Sequence, residues 1–302
     1  MNPKPVRNIP ASIRQRLLNR AKADNRPFNE LLQYFAMERF LYRLSKSTHA
    51  DRFILKGALM LRVWQSPEAR PTMDIDMLGR TSNLEADIAA QVRDMLSVGV
   101  EPDGLVFDAS TIRTERISED ADHEGIRVRF TGELDSARVN IRIDIGFGDV
   151  VVPDPELSEL PTVLDLPAPK LLCYSRESTV AEKFEAMLKL GELNSRMKDF
   201  YDIWLLSRHF DFDGDILAKA IRRTLGKRET GLPSDIVSFS DGFAEMKQVQ
   251  WAAFRRRLGR EQAPVDFAEV VAVVRDFLLP IVTLLHSGRL TGMRWTAPGP
   301  WA

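Results

Sequence analysis

Two carboxylates one residue apart, just downstream of a glycine turn between two apolar segments, leave a chain little choice in what it builds around them. Between Phe53 and Gly79 the sequence reads FILKGALMLRVWQSPEARPTMDIDMLG. It predicts an apolar strand end, a glycine turn, a short helix, an irregular loop and a second strand carrying Asp74 and Asp76. Strand alternation sends residues i and i+2 to one face, so both carboxylates point the same way. With nothing between them, one would have to protonate or the pair would cost heavily; the expected partner is a hard divalent cation, Mg²⁺. Upstream, Lys56 and Gly57 close the first strand and open the helix, where backbone N–H groups and the helix dipole favour a phosphate. Each part alone has a plainer reading. Asp-x-Asp is commonly a solvated turn or strand edge, and Lys-Gly says still less. The combination, with Arg70 and Thr72 just ahead of the acids, points to a phosphate site facing a metal site.

A chain of 302 residues buries a sizeable core and suits two modest domains. Its 44% hydrophobic and 28% charged residues are ordinary for a globular protein and argue against disorder. No run of about eighteen apolar residues occurs, and the start MNPKPVRNIP has no apolar signal core. A cytoplasmic protein that does not enter a membrane is therefore expected. The single cysteine, Cys173, excludes an internal disulfide and suits a reducing compartment. His49, His123, His209 and His286 give no zinc spacing, and a Cys-His nucleophile pair has no supporting context. The net charge of −1 hides an asymmetry. Residues 1–50 hold Lys4, Arg7, Arg14, Arg16, Arg20, Lys22, Arg26, Arg39, Arg43 and Lys46 against Asp24, Glu30 and Glu38, and Arg255, Arg256, Arg257 and Arg260 form a second basic cluster. Such clusters are either solvated faces or a nucleic-acid footprint.

Apolar spacing predicts amphipathic helices over Ile9–Ala23, Phe28–Leu44 and Leu84–Leu96, the last capped at Gly99. Strands follow at Leu105–Asp108, Thr111–Ile117, Ile126–Gly132 and Arg138–Ile145, with 119–125 as a turn. In NIRIDIGFGD, Asn140, Arg142 and Asp144 share a face. That face is either the polar side of an edge strand or the place where Asp144 joins Asp74 and Asp76 as a third metal ligand. Five prolines between 153 and 169 mark a domain boundary, dividing the chain into 1–165 and 166–302. Beyond it, helical patterns run from Thr179 to a stop at Gly191, with Lys183 one turn in, and from a Ser195 cap to Arg208. Lys198 and Asp202 stand four apart on the second, with Asp199 beside them, a spacing typical of a surface ion pair. Further helices are expected near 213–225, 241–258 and 265–286.

Taken together, LKGALML, RPTMDID, IDIGFGD, AEKFEAMLKLG and NSRMKDFYDIW resemble the AbiEii/AbiGii-type nucleotidyltransferase toxins of the polymerase β-like superfamily, over residues 9–208. The usual Gly-Ser or Gly-Gly of that superfamily is Gly57-Ala58 here, which removes a hydroxyl contact to phosphate but leaves the backbone donors. The resemblance implies an α+β fold, a nucleotidyltransferase-like mixed sheet flanked by helices, with a C-terminal helical domain. It implies nucleotide and metal binding by Gly57, Asp74 and Asp76, with Lys56, Ala58, Arg70 and Thr72 alongside, and Asp144 as the third acid. Lys183 matches the second motif, and Lys198, Asp199 and Asp202 the Lys-Asp-x-x-Asp motif, so that both lysines are expected to serve the triphosphate or the catalytic groups. The implied activity is Mg²⁺-dependent transfer of a nucleoside monophosphate from an NTP to an RNA acceptor, the tRNA acceptor end, by the toxin of a toxin–antitoxin or abortive-infection system with a cognate antitoxin. Nucleotidylation of a small molecule or protein, or a non-catalytic nucleotide-binding role beside a regulatory protein, are the alternatives.

Overall fold

The computed structural model describes residues 8–67, 70–120, 123–259, 263–288 and 292–302. Lys4, Arg7 and Arg260 of the basic clusters lie outside the described residues, as do 121 and 122 of the expected 119–125 turn. The chain divides into two compact units. One comprises Met1–Gln65, Pro71–Gly148 and Glu156–Cys173, the other Ser66–Arg70, Asp149–Pro155 and Tyr174–Ala302. The fold is α+β, with a mixed central sheet flanked by helices and a C-terminal helical region.

In the first unit, α1 (Ile9–Ala23) and α2 (Phe28–Lys46) precede β1 (Phe53–Lys56). A 3₁₀ turn at Gly57–Leu59 runs into α3 (Met60–Val63), followed by β2 (Ile75–Gly79) and α4 (Glu85–Leu96). Next come β3 (Leu105–Asp120), β4 (His123–Leu134), β5 (Ala137–Phe147), β6 (Glu156–Glu159) and β7 (Lys170–Cys173). The seven strands lie in the order β3-β4-β5-β2-β1-β7-β6. The β3-β4-β5 meander is antiparallel, β5 and β2 are parallel, and β2 and β1 antiparallel. Alternation on β5 buries Val139, Ile141, Ile143 and Ile145 on one face. Helices α1, α2 and α4 pack on the sheet, with Phe40 of α2 meeting Phe107 and Phe130 at ring distances of 6.4 and 5.4 Å. Phe40 and Phe130 are buried and Phe107 half-buried, a large apolar contribution to which the edge-on contacts of Phe107 add.

Local chemistry explains where the elements depart from expectation. Leu105–Ile117 is one strand, not two: Asp108 turns its carboxylate onto the Ser110 N–H and hydroxyl, and the ladder to β4 shifts register between Asp108 and Arg113. Ser97, not Gly99, caps α4. The proline-rich segment is tied to α2 and α3, since Arg39 donates to Pro167 O at 2.8 Å, Arg62 to Pro161 O at 3.2 Å, and Glu38 accepts from the Val163 N–H at 2.7 Å. Burial pushes the Glu38 carboxyl up to about 7, against the pull of Arg39.

The second unit holds α5 (Arg176–Leu190), α6 (Met197–His209), β8 (Phe212–Asp213), α7 (Gly214–Lys227), α8 (Asp241–Leu258), α9 (Phe267–Ser287) and β9 (Arg294–Trp295). Ser175 caps α5 by accepting from the Ser178 N–H, one turn earlier than Thr179. At α6 the expected Ser195 cap is replaced: Arg196 occupies the N-cap, and the buried Asn194 carboxamide accepts from its N–H. The helices close over Phe200, Phe243, Trp251 and Phe267. Trp295 and Trp301 of the C-terminal segment donate to Ser207 O and Phe277 O.

Candidate functional site

The first unit brings charged residues into register across its sheet. Lys56 on β1 stands opposite Asp76 on β2, Asp76 opposite Asp144 on β5, Asp144 opposite Arg127 on β4, and Arg127 opposite Glu115 on β3. Paired residues point to the same face, so the sequence Lys-Asp-Asp-Arg-Glu runs as one row over five strands. Like charges directly opposite one another destabilise a sheet, and here the Asp76–Asp144 pair has Lys56 on one side and Arg127 on the other. Arg127 grips Asp144 with Nε and Nη2 at 2.7 and 2.8 Å. Hydrogen bonding to Asp144 raises the Arg127 pKa further, against its partial burial.

Asp74 lies just before β2, one step along the same face. Its carboxylate accepts from the Thr72 hydroxyl at 2.5 Å and is ion-paired with Arg142, whose Nε also lies 3.9 Å from Asp144. Gln33 on α2 sets this pairing by donating from one amide to Met73 O and Asn140 O, at 3.1 and 3.0 Å. Tyr34 accepts from the Thr72 N–H at 3.0 Å, its ring facing the guanidiniums of Arg26 and Arg62. Gly57 has φ +73°, and a Cβ there would run into the Asp76 carboxylate. The glycine is thus required by the acid beside it as well as by its own backbone. The helix it opens is one 3₁₀ turn and a four-residue α3, too short to present a substantial dipole, so any phosphate held here relies on individual N–H groups.

The donor set suits a hard cation: three carboxylates on one sheet face, with two in register on strands about 4.8 Å apart. Among the described residues, no three His, Cys, Asp or Glu side chains are gathered into a ready-made cage. Arginines stand on two of the acids instead. Sequence reading missed Arg127, Arg142, Gln33 and Tyr34. The alternate charges of IRVRF and NIRID were visible, but the register that lays Arg127 on Asp144 was not.

Lys183, Lys198, Asp199, Asp202 and Arg70 all belong to the second unit. Lys183 on α5 places its Nζ 2.9 Å from Asp199 and 2.8 Å from Asp202, both on α6. Arg70 donates to both oxygens of Asp202, at 2.8 and 3.0 Å, and Arg196 lies 2.6 Å from Asp199. Burial pushes both carboxyls up, but Lys183 with Arg196 outweighs it at Asp199, and Arg70 with Lys183 brings Asp202 down to about 2. Desolvation works against the Lys183 charge, and the two aspartates still raise its pKa. The expected Lys198–Asp202 surface pair does not form, because Asp202 is buried and taken by Arg70 and Lys183. Lys198 is exposed, but desolvation, reinforced by Lys183, Arg70 and Arg196, lowers its pKa against the pull of Asp199. Four cations therefore surround two carboxylates, and the cluster has an excess of positive charge.

The sequence matches the family described as Nucleotidyl transferase AbiEii toxin, Type IV TA system, over residues 39–273. The chain belongs to the AbiEii nucleotidyltransferase toxin family. The matched span includes every predicted site residue from Lys56 to Asp202, and it begins inside α2, so Arg14, Arg16 and Arg20 fall before it. Two solved structures from Helicobacter pylori are similar: JHP933, at 13% identity and TM-score 0.47, covering 91% of this chain and 95% of that one, and a putative nucleotidyltransferase at 12% and 0.44, covering 91% and 98%. A comparison with curated proteins finds no match. Among the described residues no helix is long and apolar enough to cross a membrane.

Proposed function

We propose that this AbiEii-family protein transfers a nucleoside monophosphate from an NTP to an acceptor hydroxyl, with Mg²⁺ at Asp74, Asp76 and Asp144. The observation that carries the reading is the pairing of Asp76 with Asp144 on one sheet face, with Gly57 pressed against Asp76. The acceptor oxygen bonds to the α-phosphorus, the bond from that phosphorus to the α,β-bridging oxygen breaks, pyrophosphate leaves, and the hydroxyl proton passes to solvent. A bound Mg²⁺ supplies charge neutralisation at the phosphates and a lowered pKa for the attacking hydroxyl. Asp74, Asp76 and Asp144 hold it, and Thr72 fixes the orientation of the Asp74 carboxylate. The N–H groups at Gly57 and Ala58, with Lys56, contact phosphate. In the second unit, Lys198 and Lys183 are the proposed polyphosphate cations, Asp199, Asp202 and Arg70 holding Lys183 in place.

The proposed acceptor is RNA, the tRNA acceptor end, and the proposed partner is the antitoxin that a type IV system supplies. Each labelled NTP is incubated with total RNA, the protein and Mg²⁺. Transfer of label from one NTP to a tRNA-sized band is expected, and its loss in Asp76→Ala with an unchanged melting midpoint. An Asp76→Ala protein as active as wild type removes the acid cluster from the chemistry; label entering protein or small molecules instead of RNA changes the acceptor.

A further inference from the structure

Arg127 and Arg142 have no part in the reaction just described, and they stand on the groups it needs. We infer that these two arginines are exchangeable counter-ions of the acid cluster: a divalent cation bound by Asp74, Asp76 and Asp144 displaces them, so the protein's cation affinity is set by competition with its own guanidiniums. The inference rests on the metal reading proposed above.

Three observations carry it. Asp144 gives both oxygens to Arg127, at 2.7 and 2.8 Å, and Arg142 holds Asp74 while lying 3.9 Å from Asp144. A carboxylate has lone pairs to spare, so geometry alone would let an ion share it. Charge decides otherwise, because a dication about 2.1 Å from such an oxygen would sit within a few ångströms of a guanidinium bonded to the same carboxylate, in partly desolvated surroundings. Second, the arginines are free to leave. Their side chains are 25% and 42% exposed, in contrast to Arg43, which is 9% exposed and locked by Asp103 and the carbonyls of Arg39 and Leu105. Third, Arg127 has somewhere to go. Glu115, on the neighbouring strand of the same face, already lies 3.7 Å from its Nη1 and is 47% exposed; its carboxylate is paired with Arg129 at 2.9 Å and has lone pairs left to accept a second guanidinium. The same exchange gathers the three acids around one ion, where the described residues now form no cage.

The test is Mn²⁺ titration of the full chain by calorimetry, with no nucleotide present. Arg127→Gln and Arg142→Gln are each expected to bind Mn²⁺ on the order of tenfold more tightly than wild type, since a competing charged hydrogen bond has been removed. Mn²⁺ should also raise their melting midpoints more than that of wild type. Arg142 is the more exposed, so Arg142→Gln keeps the test open if Arg127→Gln folds poorly. Arginine variants that bind Mn²⁺ no more tightly than wild type, while Asp76→Ala loses it, overturn the counter-ion role and leave the metal site standing. Wild type, Asp76→Ala and both arginine variants all failing to bind Mn²⁺ overturn both.

Discussion

At the scale of single residues, Gly57 joins the backbone to the acid cluster. Its φ of +73° is left-handed, and the space a Cβ would need is filled by the Asp76 carboxylate. Gly57→Ala therefore faces backbone strain of about 1–3 kcal/mol and a steric push on Asp76 together. A fall in melting midpoint is expected, along with loss of nucleotide transfer; a stable and fully active Gly57→Ala would show that Asp76 need not lie against the turn. This glycine and the Asp-x-Asp were legible in the sequence because both are local signals, a turn residue and a period of two. Their arginine partners were not. Arg127 and Asp144 are separated by a hairpin whose register no local pattern specifies, and Arg142 reaches Asp74 only because β5 and β2, distant in sequence, run parallel.

At the scale of elements, α5 and α6 show what helical periodicity conveys and what it omits. It places Lys183, Lys198, Asp199 and Asp202 on helices, as observed. It also suggests an i,i+4 Lys198–Asp202 pair, whereas tertiary packing buries Asp202 against Arg70 and Lys183. The two lysines should consequently separate under mutation. Lys183→Met removes the cation that two buried carboxylates share and leaves Asp199 to Arg196 and Asp202 to Arg70, so the loss should fall below the roughly 3–5 kcal/mol of a wholly unpaired buried charge while still lowering the melting midpoint as well as turnover. Lys198 is exposed and has no ion-pair partner among the described residues, so Lys198→Met should leave the midpoint within the small range typical of surface charges. If it contacts phosphate, turnover still falls about a hundredfold or more. Melting and turnover measured on both variants decide the matter, and a Lys198→Met enzyme of normal turnover makes that lysine a surface residue only.

At the scale of the whole molecule, a net charge of −1 gives no general attraction for a polyanion, so an RNA acceptor has to be held by a local patch. The amino-acid sequence offers the first fifty residues as that patch, and the folded chain narrows it. Arg39 and Arg43 are buried, Arg39 beside Glu38 and Arg43 on Asp103, and Arg26 is paired with Glu30 at 2.7 Å. Along α1, Arg14 lies over the Phe28 ring, Arg20 is paired with Asp24 at 2.7 Å, and Arg16 is exposed. Burial and pairing of this kind are properties of packing, which charge counting cannot see. Charge reversal of Arg14, Arg16 and Arg20 together tests what remains. Each phosphate contact to a single-stranded RNA contributes about 0.7 to the slope of log affinity against log salt. If all three arginines touch phosphate, the slope falls by about 2 and affinity at low salt drops steeply. If only the exposed Arg16 does, the slope falls by about 0.7, and an unchanged slope and affinity show that α1 is a solvated face. Fluorescence anisotropy of a labelled RNA oligonucleotide across a salt series distinguishes the three outcomes, and the last of them moves the acceptor away from the N-terminal helix.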